Sequence, residues 1–312
     1  MGAIINGFLV KGDYVMANRK KGSIAIPFLV TFLIALLIVG GGALYIYKSL
    51  DINKESELDE LYATEYGTAT YEDSHTILFV LNVPEQKCSS TFLLMRSVPK
   101  EKKLLLTGIP SNTITIFNEK QASLKEVYEN SGINSALDFV QQVSGVEVEK
   151  YMIFNNDSFL KLSDIMGGVS YGVTVDIAGF QDTDKEQYLN GKQTISLLTY
   201  PMFSGGEVER ASMCASVISA MINQADGPNL AKGLERNFNT LINMVESNIS
   251  SGDFKERQYA VKFMLNYGNS ISHFSMIEGT SSEEYFVVDK FFSNSILEEY
   301  FAEKLVYNKI FL

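Results

Sequence analysis

Apolar and polar positions fall into blocks along this chain, and the blocks differ in kind. From Ile24 to Tyr47, reading IAIPFLVTFLIALLIVGGGALYIY, 24 residues pass without a charge. At 1.5 Å of rise per residue this is about 36 Å of helix, enough to cross a hydrocarbon core of roughly 30 Å. A cleaved signal peptide has a shorter apolar stretch, about 7–15 residues. A buried soluble helix rarely runs so long uncharged. The pattern predicts one transmembrane helix over 24–47.

Beyond it, Ser49 to Asp73 is acidic and polar with a weak helical pattern (Ile52, Leu58, Leu61, Tyr62), and reads as a stalk. At Thr76 the character changes. Thr76 to Val83, TILFVLNV, is a continuous apolar run of strand length, the signature of a strand buried on both faces. Thr91–Val98 and Leu104–Ile109 predict two more strands, joined by the turn Pro99–Lys103. Ser123-Leu-Lys-Glu126 has the spacing of a capping box, which starts a helix. A second helix is expected from Ser135 and a strand over Lys150–Phe154. Phe159, Leu162 and Met166 mark a helix stopped by Gly167-Gly168, and Tyr171–Val175 a further strand. Met213, Cys214, Val217, Ile218, Met221 and Ile222 recur at helical spacing, as do Leu234, Phe238, Leu241, Ile242 and Val245. A helix from Asp253, a strand around Phe274–Ile277 and a last helix from Ser293 complete the pattern. Buried strands alternating with amphipathic helices predict a layered α/β domain over 75–305, with 306–312 a tail.

Charge orients this arrangement. Arg19, Lys20 and Lys21 precede the span, and acids soon follow it. The positive-inside bias keeps residues 1–23 in the cytoplasm and exports the rest, which places the domain outside the plasma membrane. Within the inner tail, Met16-Ala-Asn-Arg-Lys-Lys reads as a natural bacterial start, and 1–15 as a start-site artefact. Asn6 stands where a myristoylation signal wants Ser or Thr. The chain's net charge is −11; residues 1–48 hold five Lys/Arg and one Asp, so residues 49–312 hold 21 positive and 36 negative groups, −15. Such a surface excludes nucleic acid as a partner. Two histidines, His75 and His273, and two cysteines with no CxxC or HExxH leave no zinc site and no His-dependent triad. No metal site is expected.

One ordered series of short motifs carries more. After the first strand come Ser89-Ser90-Thr91, Lys102-Lys103 and Ile109-Pro110-Ser111-Asn112-Thr113. Leu124, Tyr128, Gly132 and Gly145–Tyr151 follow. Then come Phe159, Asp164, Gly167-Gly168-Val169, Leu189-Asn190-Gly191-Lys192-Gln193 and Glu209-Arg210. Over about 75–302, and with its single span, the chain resembles the LytR-CpsA-Psr family of Gram-positive cell-envelope proteins. The resemblance implies a mixed central sheet sandwiched between helical layers, with an apolar tunnel for a lipid tail. It implies a phosphotransferase that moves glycopolymers from a polyprenyl pyrophosphate carrier to peptidoglycan. In such a site arginines grip the pyrophosphate and aspartates hold Mg²⁺; guanidinium forks match phosphate oxygens, and a hard cation offsets leaving-group charge.

This chain departs from that pattern at nearly every polar position. The Arg-Ser-Asp-Thr motif falls on Cys88-Ser89-Ser90-Thr91 and the Pro-Arg-Asp-Thr motif on Pro110-Ser111-Asn112-Thr113. The tyrosine-led arginine motif falls on Tyr200–Ser204, with Met202 and no arginine, and Glu207 occupies another arginine position. Charged residues are thus replaced at Cys88, Ser90, Ser111, Asn112, Met202 and Glu207. Arg210 matches, one of four arginines beyond the span with Arg96, Arg236 and Arg257. Candidate ligand-binding residues are Ser90, Thr91, Ser111, Asn112, Lys192 and Arg210. Arg210 is open to three roles: phosphate ligand, helix cap, or partner of Glu207 or Glu209. Ser111 has no general base in view. The resemblance also brings Cys88 near Cys214, leaving open a disulfide or two free thiols. The many Met and Phe residues suit a core or a lipid tunnel.

The leading expectation is a catalytically degenerate, membrane-anchored domain acting in envelope biogenesis. It would bind a polyprenyl-linked or wall-glycan ligand, or an envelope-assembly protein. The rival is an active Mg²⁺-dependent phosphotransferase rebuilt around Arg210, Lys192 and the acids near Glu207. A third reading is a structural or regulatory scaffold without ligand.

Overall fold

A computed structural model of the chain describes residues 69–86, 88–181, 185–266, 270–282 and 284–289. The expected transmembrane helix over 24–47, the stalk to residue 68 and the helix from Ser293 lie outside the described residues. Among the described residues no helix is long and apolar enough to cross a membrane.

The strands are β1 (His75–Leu81), β2 (Thr91–Val98), β3 (Lys103–Ile109), β4 (Ile114–Phe117), β5 (Lys120–Ser123), β6 (Lys150–Phe154), β7 (Val169–Gly172), β8 (Glu186–Leu189), β9 (Glu246–Ser247), β10 (Ser272–Met276), β11 (Gly279–Ser281) and β12 (Phe286–Val288). The helices are α1 (Leu124–Ser144), α2 (Asn156–Met166), α3 (Gly191–Leu198), α4 (Gly206–Gln224), α5 (Gly227–Lys232), α6 (Leu234–Ile242) and α7 (Ser251–Asn266). A six-stranded sheet runs β10-β3-β2-β1-β6-β9. β1 pairs antiparallel with β2 and parallel with β6, while β3 pairs antiparallel with β2 and parallel with β10. Four strands therefore point one way, β1, β3, β6 and β10, and the sheet is mixed.

The unbroken apolar run of β1 has a direct cause. Successive side chains point to opposite faces, and both faces are covered. Leu78 and Val80 pack with Phe92, Leu94 and Leu105 against α1, through Val127, Phe139, Val140 and Val143. Phe79 and Leu81 pack with Leu93, Leu106 and Phe154 beneath α2, α3 and α4, through Phe159, Ile195, Leu198, Met213 and Val217. Much of the chain's Phe and Met is thus core packing.

Local signals set the ends. Ser123 Oγ accepts from Glu126 N while Glu126 Oε2 accepts from Ser123 N, the reciprocal cap expected at α1. The two expected helices are the two segments of α1, which break at Gly132, whose φ of +77° is non-helical, rather than at Ser135. Gly167 ends α2 in the left-handed region. The strand expected over Tyr171–Val175 runs over Val169–Gly172, and the helix carrying Met213 to Ile222 starts at Gly206. Three small pairings, β4–β5, β7–β8 and β11–β12, have no counterpart in the sequence expectations.

Candidate functional site

At the carboxyl ends of β1 and β3, where open α/β sheets present ligands, three segments meet. They are Cys88–Thr91 leading into β2, Pro110–Thr113 leaving β3, and the first turn of α4. Gly108 lets α4 come close: an added Cβ there would lie 2.6 Å from Ala211 O. That approach delivers the neighbouring Arg210 into the protein, where it is 3% exposed.

Every arm of this guanidinium is engaged. Its Nε donates to Glu207 Oε1 at 3.1 Å and Nη2 to Glu207 Oε2; Nη1 donates to Thr91 Oγ1 at 2.7 Å and Nη2 to the Ser90 carbonyl at 3.3 Å. Glu207 and Arg210 stand three apart on α4, the spacing that brings helical side chains together. Ser111 Oγ donates to Glu207 Oε2 at 2.6 Å, binding the second loop into the same network. Burial works against Glu207's charge, yet Arg210's hydrogen bonds and charge, aided by Ser111 and Lys125, hold its carboxyl below the usual range. Burial also works against Arg210's charge, but the Glu207 contacts raise its pKa above the ordinary value. Glu209 does something else: its carboxylate accepts from Gly205 N and Ser204 Oγ, capping α4. Of the three roles open to Arg210, the structure thus has it paired with Glu207.

The first amides of α1 are spent as well. Leu124 N donates to Thr113 O and Lys125 N to Ser111 O, each at 2.9 Å, while Glu126 N is taken by Ser123 Oγ. Outside this network lies a cleft of about 510 Å³, lined among others by Ser111, Asn112, Gln121, Lys125, Glu207 and Tyr285. Asn112 Nδ2 donates to Glu284 O, but its buried Oδ1 has no partner. Glu126 and Glu284 also line this cleft.

Of the predicted residues, Ser90, Thr91, Ser111, Asn112 and Arg210 come together here. Lys192 does not: it is exposed in the first turn of α3 and does not line the cleft. Met202 is 71% exposed beside the buried Phe203. Cys88 and Cys214 are free thiols, so the disulfide left open by the sequence is not formed. Cys214 turns inward, its Sγ donating to Leu198 O at 3.5 Å, and burial pushes its thiol up to about 11. Cys88 is half-buried, and burial raises its thiol too. Lys125 was missed by the sequence; its place beside the capping-box serine, at a helix start following the Pro110 loop, was the available signal.

The donors do not fit a magnesium ion. The positions where the resemblance implies aspartates carry Ser90 and Asn112, and Glu207 is committed to Arg210. Among the described residues no three His, Cys, Asp or Glu side chains converge as metal ligands.

A mixed sheet with helices on both faces and a polar cleft beyond its carboxyl edge defines a layered α/β domain. Residues 65–299 match the model of the LytR_cpsA_psr family, and the chain belongs to that family. Among curated relatives, the polyisoprenyl-teichoic acid–peptidoglycan teichoic acid transferase TagU of Bacillus licheniformis is 24% identical over 179 residues, covering 56% of this chain and 58% of that protein. TagU of Halalkalibacterium halodurans is 24% identical over 143 residues, covering 44% and 47%. The chain thus spans about half the length of the curated relatives it matches. The crystal structure of Bacillus subtilis TagV is similar in fold, with a TM-score of 0.58 at 18% identity over 74% of this chain and 95% of that one.

Proposed function

We propose that this chain is a membrane-anchored, extracytoplasmic member of its family that holds a wall-glycan ligand during envelope assembly without transferring it. The observation that carries the reading is the closed Arg210–Glu207–Ser111–Thr91 network. A transferring phosphoryl group needs donors aimed at its developing charge, and losing one such donor costs about 2.7–4 kcal/mol in the transition state. Here the matching arginine already has a carboxylate in its fork, and the α1 amides have protein partners. The relatives named as teichoic acid transferases support a glycan of the cell wall as the ligand's class. The uncharged stretch 24–47 supports the anchor, with the N-terminus cytoplasmic.

A rebuilt enzyme is the second reading, and Lys125 favours it, since it adds a cation beside Glu126, Glu207 and Glu284. Against it stands the commitment of Arg210. The full chain in lipid nanodiscs, given a polyprenyl pyrophosphate-linked saccharide, Mg²⁺ and peptidoglycan, is expected to show no transfer above the protein-free rate. Transfer that disappears in Lys125→Met would establish the rebuilt enzyme instead.

A further inference from the structure

We propose that the domain carries an acid-released latch at the amino edge of its sheet, opposite the cleft: neutral His75 holds the turn that leads into β1, and its protonation lets that turn go. The latch does not depend on what the cleft binds; only its effect on the tether rests on the proposed membrane anchor.

His75 opens β1 and is partly buried. Its Nδ1 lies 3.0 Å from Asp73 O, placed to donate back to the short turn Tyr71–Asp73. Three segments bring charge to the ring. From β2 comes Arg96, 2% exposed, whose Nη1 donates to Thr76 Oγ1 at 3.2 Å. From α7 comes Arg257: its Nη1 lies 3.5 Å from the exposed Glu256 carboxylate, and its Nε is buried with no partner among the described residues. From the segment before β6 comes Glu149, whose Oε2 accepts from Thr76 N at 3.3 Å. The Asp73 carboxylate is occupied by Thr70 N and Oγ1, and Asp253 by Lys150. Two guanidinium groups thus stand against one carboxylate. Burial, the largest influence, acts with Arg257 and Arg96 to lower the ring's pKa, and the Asp73 carbonyl and Glu149 oppose them without prevailing.

A proton on His75 therefore puts a third positive charge where water is scarce, and something must move to readmit water. β1 cannot, since it pairs along its length with β2 and β6. The turn Tyr71–Asp73 can. It buries no residue, and it is fastened at the surface by Tyr71 Oη donating to Glu101 Oε1 at 3.1 Å and by the Lys100 ammonium 4.2 Å above the Tyr71 ring. Beside it Ser74 Oγ is buried without a partner among the described residues, so opening also hydrates a hydroxyl. With the chain anchored, releasing residues 69–74 lengthens the tether by at most about 20 Å, at about 3.3–3.6 Å per residue.

The sign follows from linkage. The latched ring prefers to be neutral, and the released ring titrates near the ordinary value of about 6.5. Opening becomes easier as pH falls through that value, at most tenfold per pH unit, hence at most about 30-fold between pH 7.5 and 5.0.

The test is hydrogen exchange of the detergent-solubilised full chain at these two pH values, read by mass spectrometry and corrected for intrinsic exchange. Peptides over residues 70–76 should open about 3- to 30-fold more at pH 5.0, and peptides of α1 should not. His75→Gln, which cannot take the charge, should abolish the rise. Arg257→Gln removes one repelling cation and should shrink it. Exchange of the imidazole C2 proton reads His75 itself, and its midpoint should lie below about 6.5. No rise over 70–76 overturns the inference, as does an equal rise in α1, which would mean general loosening. So does a rise that survives in His75→Gln, one undiminished in Arg257→Gln, or a midpoint at or above the ordinary value. Should a variant fail to fold, the wild-type contrast and the midpoint still decide. Failure here leaves the absence of transfer intact, because that is read separately in the nanodisc assay.

Discussion

Replacing Glu207 by alanine removes the counter-ion of a guanidinium that is 3% exposed. Breaking a buried ion pair by deleting one member costs about 3–5 kcal/mol, because the remaining charge stays buried without its partner. Two features lower that figure here. Thr91 and the Ser90 carbonyl still accept from Arg210, and the Glu207 side chain is 28% exposed, so water already screens part of the pair. After that discount the loss is about 2–3 kcal/mol. At about 2–4 °C per kcal/mol for a domain of this size, Tm should fall by roughly 4–12 °C at pH 7. The pH dependence has a definite sign. Glu207's carboxyl is held below its ordinary value, so its contribution is complete above the unfolded pKa of about 4.3 and is lost as pH falls through the lower folded value. The gap between wild type and variant should stay flat from pH 6 to 8 and narrow below about pH 4. Thermal unfolding of the detergent-solubilised chain, followed by circular dichroism across that range, measures both. A Tm change under 2 °C at pH 7, or a gap that widens in acid, would refute the ion-pair reasoning.

Two further outcomes follow from the packing around this network. Gly108→Ala places a methyl 2.6 Å from Ala211 O and 2.8 Å from Ala211 C, backbone atoms that cannot swing aside as a side chain does. Overpacking of this kind costs about 1–3 kcal/mol, and a thermal melt indistinguishable from wild type would show that α4 yields freely. With iodoacetamide at pH 8 and no reductant, the folded chain should take one label slowly at Cys88, and a second at Cys214 only after denaturation. Peptide mapping checks it, and two unlabelled cysteines in denaturant would mean a bridge.

How far the sequence could be read depended on how local each signal was. The run from Thr76 was legible as a doubly covered strand because both faces of β1 are apolar. Ser123 and Glu126 declared a helix start because a capping box lies within four residues. The β4–β5 hairpin was not legible, since its turn places Asn118 and Glu119 at φ +48° and +65° without the glycine that marks such turns. At the site, the replaced charges could be read residue by residue, and pairing with Glu207 was one of the roles the sequence left open for Arg210. Their depth could not be read. It depends on Gly108 admitting α4 against the sheet, a contact between segments about a hundred positions apart. Lys192 lies outside the cleft for the complementary reason, because its helix start faces solvent while α1 brings Lys125 to the cleft. Cys88 and Cys214 lie near the same network, but α4 turns Cys214 toward Leu198 O, which proximity alone does not foretell.

The internal salt link also bears on the route by which such a chain changes over generations. Reinstating a basic side chain at 207 by itself would set two positive groups against each other where only one has room and counter-charge, and the fold would lose ground before any chemistry returned. Discarding Arg210 first would strand the acid instead. Each single step back toward an anion-gripping mouth is thus downhill in stability, and recovery requires paired substitutions. The carboxylate thus acts as a resident anion whose removal, alone, costs the fold more than it frees the guanidinium.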